Sequence, residues 1–401
     1  MPPPTTADEL DCDVVLVGGG IAALWTLDAL DEAGFAAVLL EPAALGQGQT
    51  LASQGIIHGG LKYTLRGLLN PAAESISAMP DRWRQSLANE ARPHLAAVAV
   101  RSPCTWLWRS TSLVSKIAML GARIGLRAQP VEVAASERPA VLGSVPGTVY
   151  RVDEPVLDTM SLIEAFRASH RTRMLAADGL DAIKVDRHTA GYTIDVRQPD
   201  GGTRSITCRA VVLAAGAANE HARERCGLSA QRMQRRPLHM VVLRGALPEL
   251  HGHCVDGTTT RVTITTAHDA AGRAIWQIGG QLAEAGVAHD RAALLAHARR
   301  ELQQVLPDFD ASGVEWATYR IDRAELATTT GLRPDDAQCI ADGPPGLITV
   351  WPTKLALAPR AADLVIDALA AATISPSGPL ACSGQRPDTG QAPWESLEWS
   401  R

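Results

Sequence analysis

Residues 13–41 constrain the fold more than any other stretch of the chain. Residues 14–17 read as a short buried strand, Gly18-Gly19-Gly20 follow, and residues 21–33 read as a helix. Residues 36–40 form a second apolar run that ends at Glu41. That order is one βαβ unit with a dinucleotide fingerprint. Gly18 permits the tight strand-to-helix turn, Gly20 lets backbone approach a pyrophosphate, and Ala23 takes the third small position, where helix and strand pack closely. The start of the helix offers unpaired N–H groups and a positive dipole end to phosphates. Glu41 lies 21 residues beyond Gly20, close to the ~20-residue spacing of a carboxylate that holds a ribose hydroxyl. A bare glycine triplet would fit any tight turn. Strand, triplet, helix and acid together point to a dinucleotide.

At 401 residues the chain is long enough for two structural units. A net charge of −5 with no basic cluster argues against nucleic acid as a partner. The acidic start, MPPPTTADELDCD, lacks the apolar core of a secretory signal. No apolar run approaches the ~18 residues of a membrane span. The seven cysteines are scattered and form no CxxC pair, so neither a zinc site nor a disulfide framework is expected. A cytoplasmic location follows as the expectation.

Beyond Glu41 comes a Gly/Ser/Gln-rich loop, residues 42–67. Helical patterns follow at about 72–90, at 113–124 and at 155–169, with a strand expected at 96–101. Strands are then expected at 180–185 and 192–197, with a Pro199–Gly202 turn between the second of these and a buried strand at 209–215 that ends in Gly216. Further strands are expected at 238–244, 261–267, 274–280 and 314–321, and a helix at 290–305. The chain then gives a strand, a turn and a helix up to about 373. Residues 374–401, rich in Ser, Pro and Gly, read as a loosely held tail.

The implied class is α/β with an α+β second domain: a Rossmann-like nucleotide domain with an inserted antiparallel-sheet substrate domain. Residues 1–75, 151–232 and 326–373 would form the first domain, and 76–150 and 233–325 the second. The active site would lie between them. No second glycine fingerprint occurs, so one dinucleotide is expected, either NAD or FAD.

Four segments together decide between those two: the fingerprint, the loop QTLASQGIIHGGLKY, the strand end RAVVLAAGAAN, and GLRPDD with WPTKLALAP. In combination they resemble the D-amino-acid-oxidase-like FAD oxidoreductase superfamily. The loop looks most like the flavin-facing loop of L-2-hydroxyglutarate oxidases and glycerol-3-phosphate dehydrogenases. The resemblance covers about 12–66, 205–219 and 328–370. It does not extend to the substrate domain.

The resemblance implies FAD and a set of roles. Gly18, Gly20 and Ala23 would hold the pyrophosphate, and Glu41 the adenosine ribose. Thr50, Ser53, Gln54 and Gly55 would line the phosphates and the isoalloxazine edge, with Ala215 and Gly216 near the adenosine half. A C-terminal helix starting near Thr353, Lys354 and Leu355 would aim its positive end at the flavin. Lys354 is either an added charge there or a solvated lysine. His58 would sit on the substrate side of the flavin as a base or substrate contact. A structural histidine and a covalent flavin link are the alternatives. Arg333 would grip a carboxylate with its planar fork or close the domains as a salt bridge. Tyr319, Arg320 and Lys62 are further contacts expected near substrate, although Tyr319 and Arg320 alternate on a strand and only one can face the site. No metal site is expected: His239, His251 and His253 are close in sequence but lack a carboxylate or cysteine at ligand spacing.

The expected activity is oxidation of a small carboxylate- or phosphate-bearing substrate by hydride transfer to flavin N5, with a 2-hydroxy acid favoured. An amino-acid or secondary-amine oxidase and a non-catalytic flavin-binding subunit are the alternatives. The electron acceptor would be oxygen, a quinone or an electron-transfer protein, and membrane contact would be peripheral at most.

Overall fold

The computed structural model describes residues 8–59, 76, 78–109, 130–257 and 259–401. Lys62, Tyr63 and the helical pattern at 113–124 lie outside them.

One eight-stranded sheet is built around the fingerprint. Its main path runs Gln338–Ile340, Leu347–Trp351, Thr203–Leu213, Asp8–Val17, Ala37–Glu41, Met174–Ala176. All of these pair in parallel except the edge strand Gln338–Ile340. The hairpin of Ile183–His188 and Gly191–Arg197 adds to the strand Thr203–Leu213 in antiparallel fashion. Strands covered on both faces must be apolar on both, and residues 14–17 satisfy this. Val14 and Leu16 pack against the helices Ile21–Glu32, Thr159–His170 and Ala358–Ala371. Val15 and Val17 pack on the opposite face with Tyr192, Ile194 and Val196 of the hairpin.

A second eight-stranded sheet runs Glu315–Leu326, Met233–Gly245, Ala274–Gly279, Thr259–His268, His251–Asp256, Thr105–Arg109, Val149–Val152, Val131–Val133. Neighbours are antiparallel except His251–Asp256 with Thr105–Arg109. One face is closed by the helix Arg291–Val305, through Leu294, Leu295, Ala298 and Leu302. The other face carries Met240, Val242, Ala317 and Tyr319, and packs on Ala52 of the cofactor loop and on Trp394.

Several local expectations change, and the strand expected at 96–101 is confined to Val100–Ser102. The first strand reaches back to Asp8, because residues 8–12 pair in register with 204–208. The helix expected at 155 starts at Thr159, since Val156–Leu157 pairs with Val100–Ser102. Asp158 caps it by accepting the Ser161 N–H at 2.7 Å. The strand expected at 180 starts at Ile183, after one 3₁₀ turn. The tail, read as loosely held, is tied down. Leu45 N–H donates to Asp388 O at 2.8 Å, Trp394 is buried, and Ser400 and Trp316 exchange backbone bonds at 2.9 and 2.7 Å. Trp394 packs with Ala52, Met240 and Tyr319, and this apolar burial together with the backbone bonds offsets the entropy of ordering the segment. Among the described residues, no helix is long and apolar enough to cross a membrane.

Candidate active site

The glycine turn forms a cradle that side chains would fill. Gly18 has φ of 112°, and a β-carbon there would sit 2.7 Å from Ala214 O on the neighbouring strand. A β-carbon on Gly19 would lie 2.5 Å from Glu41 Oε2. Gly20 stands at the head of the helix Ile21–Glu32, and no side chain of its own caps that end. Ile21 N–H donates to Thr50 Oγ1 at 3.1 Å, and Gly46 N–H to Gly19 O at 2.8 Å. The loop after Glu41 thus folds back over the helix start. Ala23 is fully buried beneath it.

Glu41 is 5% exposed. Burial pushes its carboxyl up to about 7, against the pull of the Ala43 and Gly19 N–H groups. Its Oε1 accepts from Ala43 at 2.6 Å. A buried acid at the end of the second strand, beside the N-terminus of the helix, suits a ribose diol and a pyrophosphate.

Across the sheet, Ala215 and Gly216 turn out of the strand Thr203–Leu213. Asn219, which has no sequence signature of its own, fixes this turn. Its Oδ1 accepts Ala215 N–H at 2.8 Å and its Nδ2 donates to Val350 O at 3.2 Å, joining the turn to the strand Leu347–Trp351. After that strand, Thr353 is buried with φ of 62°, a backbone conformation a β-branched residue seldom adopts. Its Oγ1 donates to Asp336 O at 2.9 Å, which binds the turn to the segment just past Arg333. Lys354 precedes a 3₁₀ turn, Leu355–Leu357, and the α-helix itself starts at Ala358, three residues later than expected.

The loop 50–59 meets the second sheet over a row of polar side chains. Ser53 Oγ donates back to Thr50 O at 2.8 Å. The Gln54 amide donates to Thr263 O and Gln277 O, each at 3.0 Å. Gln277 donates to Ala52 O at 3.3 Å and to the Tyr319 hydroxyl at 2.9 Å. The Tyr319 hydroxyl donates to the same Ala52 O at 3.1 Å. Burial raises the Tyr319 phenol above its ordinary range. Tyr319 therefore anchors the loop from beneath. Gly55 has φ of 72°, and a β-carbon there would lie 2.1 Å from Leu157 O, so only glycine fits that crossing.

Arg320 leaves the strand on the opposite face, exposed, and donates to Val287 O and His289 O at 3.2 and 3.0 Å. It is not gathered with the loop, as strand alternation requires once Tyr319 faces inward.

At the end of the loop, His58 stands beside Glu154, which the sequence does not single out, and His253, which the sequence places only with His239 and His251. Glu154 Oε2 lies 3.5 Å from His58 Nδ1, with side-chain exposures of 3% and 33% respectively. Glu154 Oε1 accepts Gly59 N–H at 2.6 Å. The His253 ring lies 5.5 Å from that of His58, and its Nδ1 is 2.8 Å from Thr263 Oγ1. Donor atoms of His58, Glu154 and His253 all fall within 4.8 Å of one another. No spacing rule links positions 58, 154 and 253. The pairing of the strands Thr105–Arg109, Val149–Val152 and His251–Asp256 brings them together.

A parallel sheet with a glycine cradle, crossed by a loop that rests on an antiparallel sheet, defines a dinucleotide-dependent oxidoreductase. The chain belongs to the DAO family of FAD dependent oxidoreductases, whose model matches residues 13–366. It is 40% identical to the probable FAD-dependent oxidoreductase PA4991 of Pseudomonas aeruginosa, over 96% of this chain and 98% of that one. The crystal structure of PA4991 superposes with a TM-score of 0.81 at 38% identity, over 97% of this chain and 98% of that one. Glycine oxidase from Geobacillus kaustophilus matches with a TM-score of 0.63 at 16% identity, over 90% and 95% of the two chains. The FAD-bound L-α-glycerophosphate oxidase of Mycoplasma pneumoniae matches with 0.62 at 12%, also over 90% and 95%. The last two share the fold. The chain is thus an FAD-dependent enzyme. Its glycine cradle, the helix N-terminus behind it and buried Glu41 fit that cofactor.

Proposed function

We propose that the enzyme oxidises a small carboxylate- or phosphate-bearing substrate at a C–OH carbon, a 2-hydroxy acid being favoured. His58 is the observation that carries this reading. It is part-exposed at the meeting of the cofactor loop and the second sheet, and a buried carboxylate backs it. When bound, FAD supplies a two-electron acceptor at its N5. The chain's own groups then divide the work. Gly18, Gly20 and Ala23 accommodate the pyrophosphate and Glu41 the ribose. Ala215 and Gly216 flank the adenosine half, while Thr50, Ser53, Gln54 and Gly55 shape the wall toward the isoalloxazine. Thr353, Lys354 and Leu355 bring positive potential to the flavin's carbonyl edge.

His58 takes the hydroxyl proton on a ring nitrogen, and Arg333 holds the substrate anion with its fork. The nucleotide unit is made of 1–75, 151–232 and 326–373, and the substrate unit of 76–150 and 233–325. The acceptor is oxygen, a quinone or an electron-transfer protein. Seven cysteines without disulfides fit a reducing, cytoplasmic setting.

The test is anaerobic mixing of the purified flavoprotein with 2-hydroxy acids, glycerol phosphate, amino acids and secondary amines, with flavin absorbance as the readout. Bleaching by the hydroxy compounds supports the reading. Bleaching by amines alone replaces it with an amine oxidase. No bleaching by any of them favours a flavin-binding subunit without turnover.

A further inference from the structure

We infer that Glu154 is the positioning residue for His58. It decides which imidazole nitrogen carries the proton and makes the ring more basic. This rests on the base role proposed for His58.

The argument begins with the carboxylate. An anion this deeply buried is costly unless polar partners surround it. Glu154 is 3% exposed on its side chain, yet both oxygens are directed at one dipeptide. Oε1 accepts Gly59 N–H at 2.6 Å, and Oε2 stands 3.5 Å from His58 Nδ1. Thr105 Oγ1 approaches the same Oε2 at 3.5 Å. One side chain therefore fixes the loop backbone at residue 59 and faces the ring at residue 58. Gly59 N–H is a rigid donor, so the carboxylate cannot drift without breaking that bond.

The consequence for the imidazole is direct. An acceptor opposite Nδ1 favours the tautomer with hydrogen on Nδ1, which puts the basic lone pair on Nε2. When Nε2 takes a proton from a substrate hydroxyl, the new imidazolium stands beside a buried negative charge. Among the described residues, His253 also faces the ring, at 5.5 Å between centroids. Its own protonation would oppose that of His58. The His253 Nδ1 contact with Thr263 Oγ1 holds its ring in place.

The test is NMR titration of the His58 ring, assigned by its loss in His58→Asn, in the wild-type holoprotein and in Glu154→Gln. The glutamine keeps an oxygen for Gly59 N–H but turns an amide donor toward His58. The expected result is a His58 midpoint lower by about one pH unit or more, with ¹⁵N shifts reporting a move of the proton from Nδ1 to Nε2. Glu154→Asp, which keeps the charge but draws it back by one methylene, should give an intermediate midpoint. Wild-type midpoint and tautomer in both variants would overturn the inference. Flavin reduction by substrate in His58→Asn reads the other half separately. If it stays at the wild-type rate while the Glu154→Gln midpoint falls, the base role fails and the electrostatic pairing stands.

Discussion

Gly19 and Glu41 compete for one small volume. A β-carbon on Gly19 would lie 2.5 Å from Glu41 Oε2 and 2.6 Å from Leu45 Cδ2. Both obstructing atoms are tips of side chains, so Gly19→Ala is expected to fold and to push the carboxylate out of place. FAD affinity of the apoprotein should drop about tenfold or more, or about 1.4 kcal/mol. Fluorescence titration with FAD checks this. Gly18→Ala differs in kind. Its obstruction is the Ala214 backbone at 2.7 Å, and its φ of 112° is already unfavourable for a side chain, so folding itself should suffer.

The acid at position 41 should make cofactor uptake depend on pH. Burial raises its carboxyl from 4.5 to about 7. Ribose hydroxyls donate to the ionised form, so FAD binding should tighten as pH rises through about 7 and release a proton below it. The stability of the apoprotein should move the other way. Between about 4.5 and 7 the folded state holds a proton that the unfolded chain has lost. That part of the stability is complete below the unfolded value and is lost as pH rises, by on the order of 3 kcal/mol in all. Glu41→Gln should flatten both curves. Isothermal titration and thermal melts from pH 5 to 8 measure them.

Tyr319→Phe should cost stability, because Ala52 O and the Gln277 amide both lose a buried partner. About 1–3 kcal/mol is expected in chemical denaturation. Stability unchanged from wild type would show that the hydroxyl does not hold the loop.

Trp394 is 2% exposed in a cluster with Ala52, Met240 and Tyr319. Trp394→Ala should destabilise by about 3–5 kcal/mol. Because Ala52 belongs to the cofactor loop, retention of FAD on gel filtration should fall as well. A variant as stable as wild type would mean that the tail contributes nothing to the core.

The nucleotide half of this protein was largely legible in its sequence, and the reason is local. Residues 14–17, the glycines and Glu41 act through backbone geometry and through neighbours within one βαβ unit, where spacing carries the information. The loop from Thr50 to His58 could be recognised by its motif, but what lies beneath it could not. Gln277, Tyr319 and His253 reach it from three separate strands and Glu154 from the turn after a fourth, and strand order is set by long-range pairing that periodicity does not encode. Strand alternation allows only one of Tyr319 and Arg320 to face the site, and the sequence does not say which. The pairing of Met240 with Tyr319 turns Tyr319 toward Ala52. Asn219 escaped notice because an asparagine after a glycine turn is ordinary. Only the crossing of Leu347–Trp351 beside it gives its second hydrogen bond a partner.

The central claim is that His58 is the base of an FAD-dependent oxidation of a small hydroxy anion. Rapid anaerobic mixing of wild type and His58→Asn with the best 2-hydroxy acid, followed at the flavin absorbance band, tests it most directly. The expected result is reduction about 10²–10⁴-fold slower in the variant, with FAD content and melting temperature unchanged. Equal rates in the two proteins, each with FAD bound, would contradict it.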